Sequence, residues 1–152
     1  IMKQIAVYSC FKGEDYDLSA FIKASLKWAK ISDINKFSPN IAKAQSSGDI
    51  MLAKKSYESA YETHLDGFCV ALDERGKVMD SLGFAKLIEP HNKINFFIGG
   101  AYGFSDEFRG KMHTLLSLSK LTMAHKIAKL VLFEQIFRAL SISANHPYHK
   151  GE

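Results

Sequence analysis

The chain has 152 residues, of which 47% are apolar and 24% are charged, and its formal net charge is +4. These totals are ordinary for a soluble globular protein and predict one domain over residues 1–152. The sequence lacks an apolar run of membrane-spanning length and a secretory leader, which argues against a membrane protein and favours a cytoplasmic location.

Strand and helix patterns alternate along the first half of the chain. Residues 4–10 are apolar and β-branched, which predicts a first strand. An apolar stripe at helical spacing predicts a helix over residues 16–31. Residues 34–37 form a weaker strand candidate that ends at residues 38–40, and residues 49–64 predict a second helix.

The second half continues this alternation. Residues 67–73 and 94–98 are apolar without alternating polar positions, as expected for strands covered on both faces. The other predicted elements are a turn at 74–77, helices over 81–88, from Ser105-Asp106 onward and over 124–144, a strand around 115–118 and an extended tail over 145–149. The fold class is therefore predicted as α/β, with a mostly parallel sheet and helices on both faces.

Cysteine usage and charge placement suggest the environment and the partner. Cys10 and Cys69 lie in apolar runs, which predicts buried free thiols. Residues 1–110 hold 14 Lys and Arg against 14 Asp and Glu, whereas residues 111–152 hold six against two and four of the six histidines. A basic end suits a polyanion such as RNA, although a solvated helix face gives the same count.

Three strand ends are predicted to meet at one edge of the sheet, where open α/β sheets bind ligands. These ends are Leu72-Asp73, Gly99-Gly100 at the start of the glycine-rich turn 99–103, and the segment Ser117–Thr122. The spacing G-G-x-x-G is not the dinucleotide fingerprint, and a turn that needs positive φ explains the glycines equally well. The segment 117–125 alternates hydroxyl and apolar side chains, which suits a flat heterocycle or an ordinary strand-to-helix connection.

The C-terminal tail carries His146-Pro147-Tyr148-His149 and Lys150. This spacing lacks a helical frame and a carboxylate or cysteine partner, so we predict no metal site. Its aromatic ring, histidines and lysine suit base stacking and phosphate contact, and a disordered tail is the alternative. Arg138, one to two helical turns before the tail, could contact an RNA phosphate or form a surface ion pair. The apolar helix over 124–144 favours a homodimer contact.

Four sequence blocks follow one another in the C-terminal half: Ile98-Gly99-Gly100-x-x-Gly103, Ser117-Leu118-Ser119-x-Leu121-Thr122-x-x-His125, Glu134-Gln135-x-x-Arg138-Ala139 and Asn145-His146-Pro147-Tyr148-His149. In this order they resemble the RlmH-type ribosomal RNA methyltransferases of the SPOUT superfamily. The resemblance is specific from about Cys69 to the C-terminus, whereas the first 65 residues match only in layout. Ala124 stands where this family usually has a proline before the histidine.

The resemblance implies a homodimeric enzyme that methylates N3 of a pseudouridine in 23S ribosomal RNA, on the assembled ribosome. It also implies a trefoil knot and a bound S-adenosylmethionine within about residues 69–152. The implied cofactor-binding residues are Leu72, Asp73, Gly99, Gly100, Ser119, Lys120, Leu121, Thr122, Met123 and Ala124.

An N3 anion requires a general base or a positive field, and the candidates are His125, Arg138 and His149, with Tyr148 orienting the base. We expect the tail of one subunit to complete the pocket of the other. Two alternatives stay open, a noncatalytic ribosome-binding factor and a SPOUT methyltransferase that acts on transfer RNA. The nearly neutral N-terminal half favours a large preassembled substrate over the latter.

Overall fold

The structure, a computed structural model, describes residues 2–151, so Ile1 and Glu152 at the ends of the predicted domain lie outside the described residues. The strands within this range are β1 (Lys3–Ser9), β2 (Ala29–Asn35), β3 (Phe68–Val78), β4 (Lys93–Phe97) and β5 (Thr114–Ser117). The α-helices are α1 (Ser19–Ser25), α2 (Pro39–Ser46), α3 (Ile50–Tyr61), α4 (Ser81–Ile88), α5 (Asp106–Gly110) and α6 (His125–Ser143).

The strands form one sheet in the order β2-β1-β4-β3-β5, and neighbouring strands pair in parallel. All carboxyl ends therefore lie at one edge, which brings the ends of β3, β4 and β5 together. The predicted α/β class and parallel sheet are confirmed.

Helices cover both faces of the sheet, as predicted. On one face, Phe84 of α4 and Phe133 of α6 pack with Phe96 of β4. On the other face, Tyr57 of α3 and Phe108 of α5 pack with the next residue of β4, Phe97. The apolar runs of the central strands follow from this arrangement, because successive side chains enter opposite cores. Both cysteines are buried and free, as predicted.

The predicted helix over residues 16–31 is confirmed only in part, because α1 spans Ser19–Ser25 and β2 begins at Ala29. Buried Ala29 and Ile31 pair with Lys3 and Ile5 of β1. Their spacing continues the helical stripe but also fits a strand, and pairing with β1 decides between the two.

Helix α2 was missed, although its start carries two recognisable signals. Ser38 is the N-cap, and its hydroxyl accepts a hydrogen bond from the Ile41 amide at 3.3 Å. Pro39 occupies the first turn, where its missing N–H has no cost. The sequence prediction treated both residues only as the end of a strand.

The predicted turn at residues 74–77 is also wrong, because β3 continues to Val78 through a register shift between Leu72 and Lys77. At Gly76, a Cβ would lie 2.6 Å from the carbonyl carbon of Leu115 in β5. Glycine therefore permits the close approach that lets this irregular strand stay paired.

The C-terminal tail is not extended, which corrects a further prediction. Asn145 has φ of 58°, and the His146 amide donates to the Ser141 carbonyl at 2.8 Å. A left-handed residue with this bond ends a helix and reverses the chain. The tail then returns along α6, where Tyr148 meets Phe137 edge-on at a centroid distance of 4.6 Å. No helix within residues 2–151 is long and apolar enough to span a membrane.

Candidate active site

A cavity of about 400 Å³ lies at the carboxyl ends of β3, β4 and β5. Its walls are residues 72–75, 98–104 and 116–119, together with Leu121 and Met123. The three predicted strand ends thus meet at one cavity. Its volume falls within the range of about 300–1,000 Å³ that is typical of small-molecule sites.

The glycine-rich loop at residues 99–103 forms one wall. Gly103 has φ of +70°, and its amide donates to the Gly100 carbonyl at 3.2 Å. A Cβ on Gly100 would lie 2.6 Å from Cε2 of Tyr57, so a side chain there would displace the ring. The glycines therefore serve both the positive φ and a close approach of the backbone to α3.

The opposite wall is shaped by its own hydroxyl groups. Ser117 donates to the Ser119 carbonyl at 2.9 Å, and the Ser119 hydroxyl accepts from the Leu121 amide at 3.0 Å. These local bonds hold residues 117–121 as a bend without a regular element. Ala124 has φ of −59° and ψ of 146°, values that a proline also adopts. The backbone here therefore has the conformation that the proline usual in this family would have.

Asp73 belongs to the cavity wall but is already paired. Its carboxylate accepts from the Arg75 amide at 2.8 Å and lies 2.8 Å from Nε of Arg109 in α5. Glu74 and Lys54 also line the cavity, at its charged rim. The rim therefore carries both signs of charge, and Asp73 also joins the bulged strand to α5.

His125 begins α6 and lines the cavity. Burial lowers the pKa of its imidazole, against an opposing effect of Glu74. Its ring stacks on Phe11 at a centroid distance of 6.2 Å. A depressed pKa keeps this imidazole neutral at pH 7, which is the form that can accept a proton.

A second group of ionisable residues, the tail cluster, consists of Glu134, Arg138, Tyr148 and His149. Glu134 Oε2 accepts from Arg138 Nη2 and from the Tyr148 hydroxyl, each at 2.7 Å. Arg138 Nη1 lies 3.0 Å from Nδ1 of His149, and its guanidinium covers the Tyr148 ring at 4.8 Å.

The carboxylate of Glu134 organises the tail cluster electrostatically. Burial favours its neutral form, but the hydrogen bonds from Arg138 and Tyr148 outweigh burial and lower its pKa. The same bond to Glu134, together with burial, raises the pKa of Tyr148. Tyr148 is therefore a neutral donor near pH 7, fixed on the surface of α6.

The cavity and the tail cluster are well separated within the chain. Arg138 follows His125 by 13 residues of α6, which is roughly 20 Å along a helix. Arg138, Tyr148 and His149 are outside the cavity lining. The structure thus places His125 at the cavity and the other three predicted catalytic residues near the opposite end of the same helix.

Several basic side chains of residues 111–152 are engaged in contacts within the chain. Lys129 is only 2% exposed and lies 2.7 Å from carboxylate oxygens of both Asp15 and Asp33. Lys126 donates to the Lys12 carbonyl at 3.2 Å, and Lys111 pairs with Glu62 at 2.9 Å. The net charge of this part therefore overstates the positive surface that it offers to RNA.

The sequence matches the family described as "Predicted SPOUT methyltransferase" over residues 14–149. The chain belongs to the SPOUT methyltransferase family. Ribosomal RNA large subunit methyltransferase H of Campylobacter fetus subsp. fetus (strain 82-40) is 58% identical over 140 residues, which cover 91% of this chain and 93% of that protein. The protein of the same name from Campylobacter concisus (strain 13826) is 52% identical and covers 97% of this chain and 99% of its own length.

A solved structure has the same fold. The tRNA (m1G37) methyltransferase from Aquifex aeolicus superposes with a TM-score of 0.61 and 15% identity, covering all of this chain and 76% of that chain. At this identity the likeness concerns the fold alone. The resemblance to the SPOUT methyltransferases predicted from the sequence is confirmed.

The predicted cofactor residues of this SPOUT methyltransferase divide into two sets. Lys120, Thr122 and Ala124 are exposed, lie between β5 and α6 and do not line the cavity. The cavity is lined by Leu72, Asp73, Gly99, Gly100, Ser119, Leu121 and Met123.

Sequence reasoning gave no role to Lys54 or Glu74 of the lining, or to Glu134. Within residues 2–151, no group of three or more His, Cys, Asp or Glu side chains is placed to hold a metal ion.

Proposed function

We propose that this SPOUT methyltransferase transfers a methyl group from S-adenosylmethionine to N3 of a pseudouridine in large-subunit ribosomal RNA. We further propose that it acts as a cytoplasmic homodimer on the assembled ribosome. The observation that carries the proposal is the cavity at three strand ends, in a chain 58% identical to a ribosomal RNA large subunit methyltransferase H. The nearly neutral charge of residues 1–110 fits a large substrate that supplies its own docking surface.

The cavity fits S-adenosylmethionine by shape and by chemistry. Gly100 lines the cavity and lets the loop backbone lie directly against Tyr57 of α3, where a Cβ would approach the ring to 2.6 Å. Leu72, Leu116 and Leu118 supply apolar walls suited to an adenine ring, while backbone groups of the glycine loop and the bend remain available to its edge. The rim, which carries both signs of charge, suits a ligand with both a cationic and an anionic group.

The proposed cofactor supplies an already activated methyl on a sulfonium centre. The protein's task is then to align N3 with that methyl and to take the N3 proton. Neutral His125, at the cavity, is our first candidate for the proton acceptor. Arg138 would stabilise the developing N3 anion, with His149 as its partner and Tyr148 orienting the base.

These roles require two chains. Arg138 is roughly 20 Å along α6 from His125, and the tail is held on α6 by Tyr148. One chain therefore cannot bring its own tail cluster to its own cavity in this conformation. We propose that the tail cluster of one subunit faces the cavity of the other.

Exposed apolar side chains at the end of β3 and on α4 and α6 support the proposed homodimer. Val78, Leu82 and Ile127 are 50%, 36% and 38% exposed. A groove of about 290 Å³ is lined in part by Phe84 of α4, Leu118 and Val131 of α6. Burial of such side chains against a second copy is favourable, because apolar surface leaves water.

We also propose that the whole chain is one methyltransferase domain whose part from about residue 69 to residue 152 is knotted. Family membership and the close approach of residues 72–75 and 116–123 around one cavity support this view. Ordinary connection rules do not predict a threaded chain, so the knot depends on this family argument.

Mass spectrometry of the modified nucleoside tests the proposed function. The purified protein is incubated with S-adenosylmethionine and, separately, with ribosomes lacking the modification, free ribosomal RNA and transfer RNA. We expect N3-methylpseudouridine on ribosomes, little on free RNA and none with a Gly100→Arg control that keeps its circular dichroism spectrum. Methylation of transfer RNA would support the transfer RNA alternative. Ribosome binding without methylation, and without calorimetric binding of S-adenosylmethionine, would support a noncatalytic factor.

A further inference from the structure

Three side chains of helix α3 contact the glycine loop and the residues on either side of it. The Tyr57 hydroxyl donates to the Gly103 carbonyl. One residue later, the Glu58 carboxylate accepts from the Ser105 amide at 2.6 Å and from the Ser105 hydroxyl at 2.7 Å. One turn on, the Tyr61 hydroxyl donates to the Ile98 carbonyl at 2.7 Å. Tyr57 thus ties α3 to the loop itself, Glu58 ties it to Ser105 just after the loop, and Tyr61 ties it to the strand end before the loop.

These contacts are buried and specific. Tyr57 and Tyr61 have no exposed surface, and Glu58 is 8% exposed. The Tyr57 ring also lies directly under the Gly100 backbone, where an added Cβ would approach it to 2.6 Å. Burial raises the pKa of the Tyr57 hydroxyl, so it stays a donor at all ordinary pH values. Tyr57 and Glu58 do not line the cavity and act on it through the loop.

A loop with three glycines among five residues has much conformational freedom to lose when a ligand binds. Contacts that fix the loop beforehand remove that loss and so strengthen binding. We propose that Tyr57 and Glu58 are positioning residues that preset the glycine loop for S-adenosylmethionine. The N-terminal half of the chain thereby sets the cofactor affinity of a cavity that the C-terminal half builds. This inference rests on the proposed function.

Paired phenylalanine variants separate positioning from mere stability. Tyr57→Phe removes the bond to Gly103 inside the loop and keeps the ring under Gly100. Tyr61→Phe removes an equally buried hydroxyl bond of the same helix, but to Ile98 at the strand end. Glu58→Gln keeps the side-chain size and loses one of the two carboxylate acceptors of Ser105. Calorimetry with S-adenosylmethionine and with S-adenosylhomocysteine, and amide hydrogen exchange of residues 99–105 in the free protein, are measured for all three.

We expect Tyr57→Phe and Glu58→Gln to weaken both ligands about 3- to 10-fold, to raise KM with kcat unchanged and to speed exchange in the loop. Tyr61→Phe should lower the melting temperature similarly and leave affinity and loop exchange near wild type. Equal affinity losses in Tyr57→Phe and Tyr61→Phe, or unchanged loop exchange in Tyr57→Phe, would overturn the inference. Failure of the wild-type protein to bind either ligand would overturn the proposed function as well, which separates the two failures.

Discussion

The two ends of α6 carry different kinds of site. At its start, the cavity is built mainly from strand ends, glycines and a bend stabilised by serine hydroxyls, with His125 as its ionisable group on α6. Near its end, the tail cluster consists of Glu134, Arg138, Tyr148 and His149, joined by charge-assisted hydrogen bonds. The start of α6 thus contributes to a cavity of defined shape, and its end carries a cluster of charged and hydrogen-bonding side chains. In our proposal neither is a complete active site, and a second subunit joins them.

Gly100→Ala should have the largest effect on the cavity and little on the tail cluster. Its Cβ would meet the Tyr57 ring at 2.6 Å and displace either the ring or the loop. We expect the affinity for S-adenosylmethionine to fall about 100-fold, because overpacking of a tight site costs a few kcal/mol. Calorimetry measures it, and Gly110→Ala is the matched control, since a Cβ there meets nothing within 4 Å. Equal losses of affinity in both variants would contradict a close contact between Gly100 and Tyr57 as the cause.

Glu134→Gln should have the opposite pattern, with transfer impaired and cofactor binding intact. Loss of the carboxylate releases Arg138 and Tyr148 from their fixed geometry. We expect the rate of methyl transfer to fall roughly 10- to 100-fold, as is typical for misplaced catalytic groups. Single-turnover rates at saturating cofactor test this. A matching fall in cofactor affinity would contradict the separate roles of the cavity and the tail cluster.

The lowered pKa of Glu134 also predicts how stability depends on pH. A carboxyl group whose pKa is lower in the folded state stabilises the protein above its unfolded value near 4.5 and loses that contribution as pH falls through the folded value. Wild type should therefore lose stability more steeply than Glu134→Gln as pH falls below about 4.5. Urea unfolding at several pH values measures the difference, and parallel curves would contradict it.

His125 should give the transfer rate an acidic limb. Burial lowers the pKa of the His125 imidazole below the usual 6.5, so this ring is protonated at a lower pH than a solvent-exposed histidine. We expect the rate to fall with a midpoint below 6.5 and the limb to disappear in His125→Asn. Protonation also opposes folding, since the unfolded state binds the proton more readily, so stability should fall as pH drops from about 6.5 to the lower folded value. An NMR titration of the imidazole with a midpoint above 6.5 would refute this.

Ala124→Pro should have the smallest effect and should stabilise. The backbone of Ala124 already has φ of −59°, which proline prefers. A compatible proline stabilises by about 0.4–1 kcal/mol, through the unfolded state. Thermal unfolding should shift upward by a few degrees with unchanged cofactor affinity, and a downward shift would mean that the bend differs from the one described.

The sequence predicted the strands that build the cavity better than the side chains around it. Apolar runs located β3, β4 and β5, and the strand ends met as parallel topology requires. Lys54 and Tyr57 were not found, because they reach the cavity region from α3 by tertiary packing that no local pattern records. The register shift after Leu72 was interpreted as a turn, since Gly76 signals a turn and a bulge alike.

Long-range pairing explains the other differences. Ala29 and Ile31 fit both a helical stripe and a strand, and only pairing with β1 decides for the strand. The folded-back tail depends on Tyr148 meeting Glu134 and Phe137, partners more than ten residues earlier. The motif resemblance pointed to Glu134 and Tyr148 but did not predict that the tail folds back onto α6.

Mixed dimers test most directly whether one active site is built from two chains. One chain carries Gly100→Arg, which blocks its cavity, and the other lacks the residues from His149 onward, which disables its tail cluster. Each homodimer should be inactive. We expect an equimolar mixture, refolded together, to recover about a quarter of wild-type methyl transfer, because half of the dimers are mixed and each has one competent site. A mixture no more active than its parents would contradict the shared site.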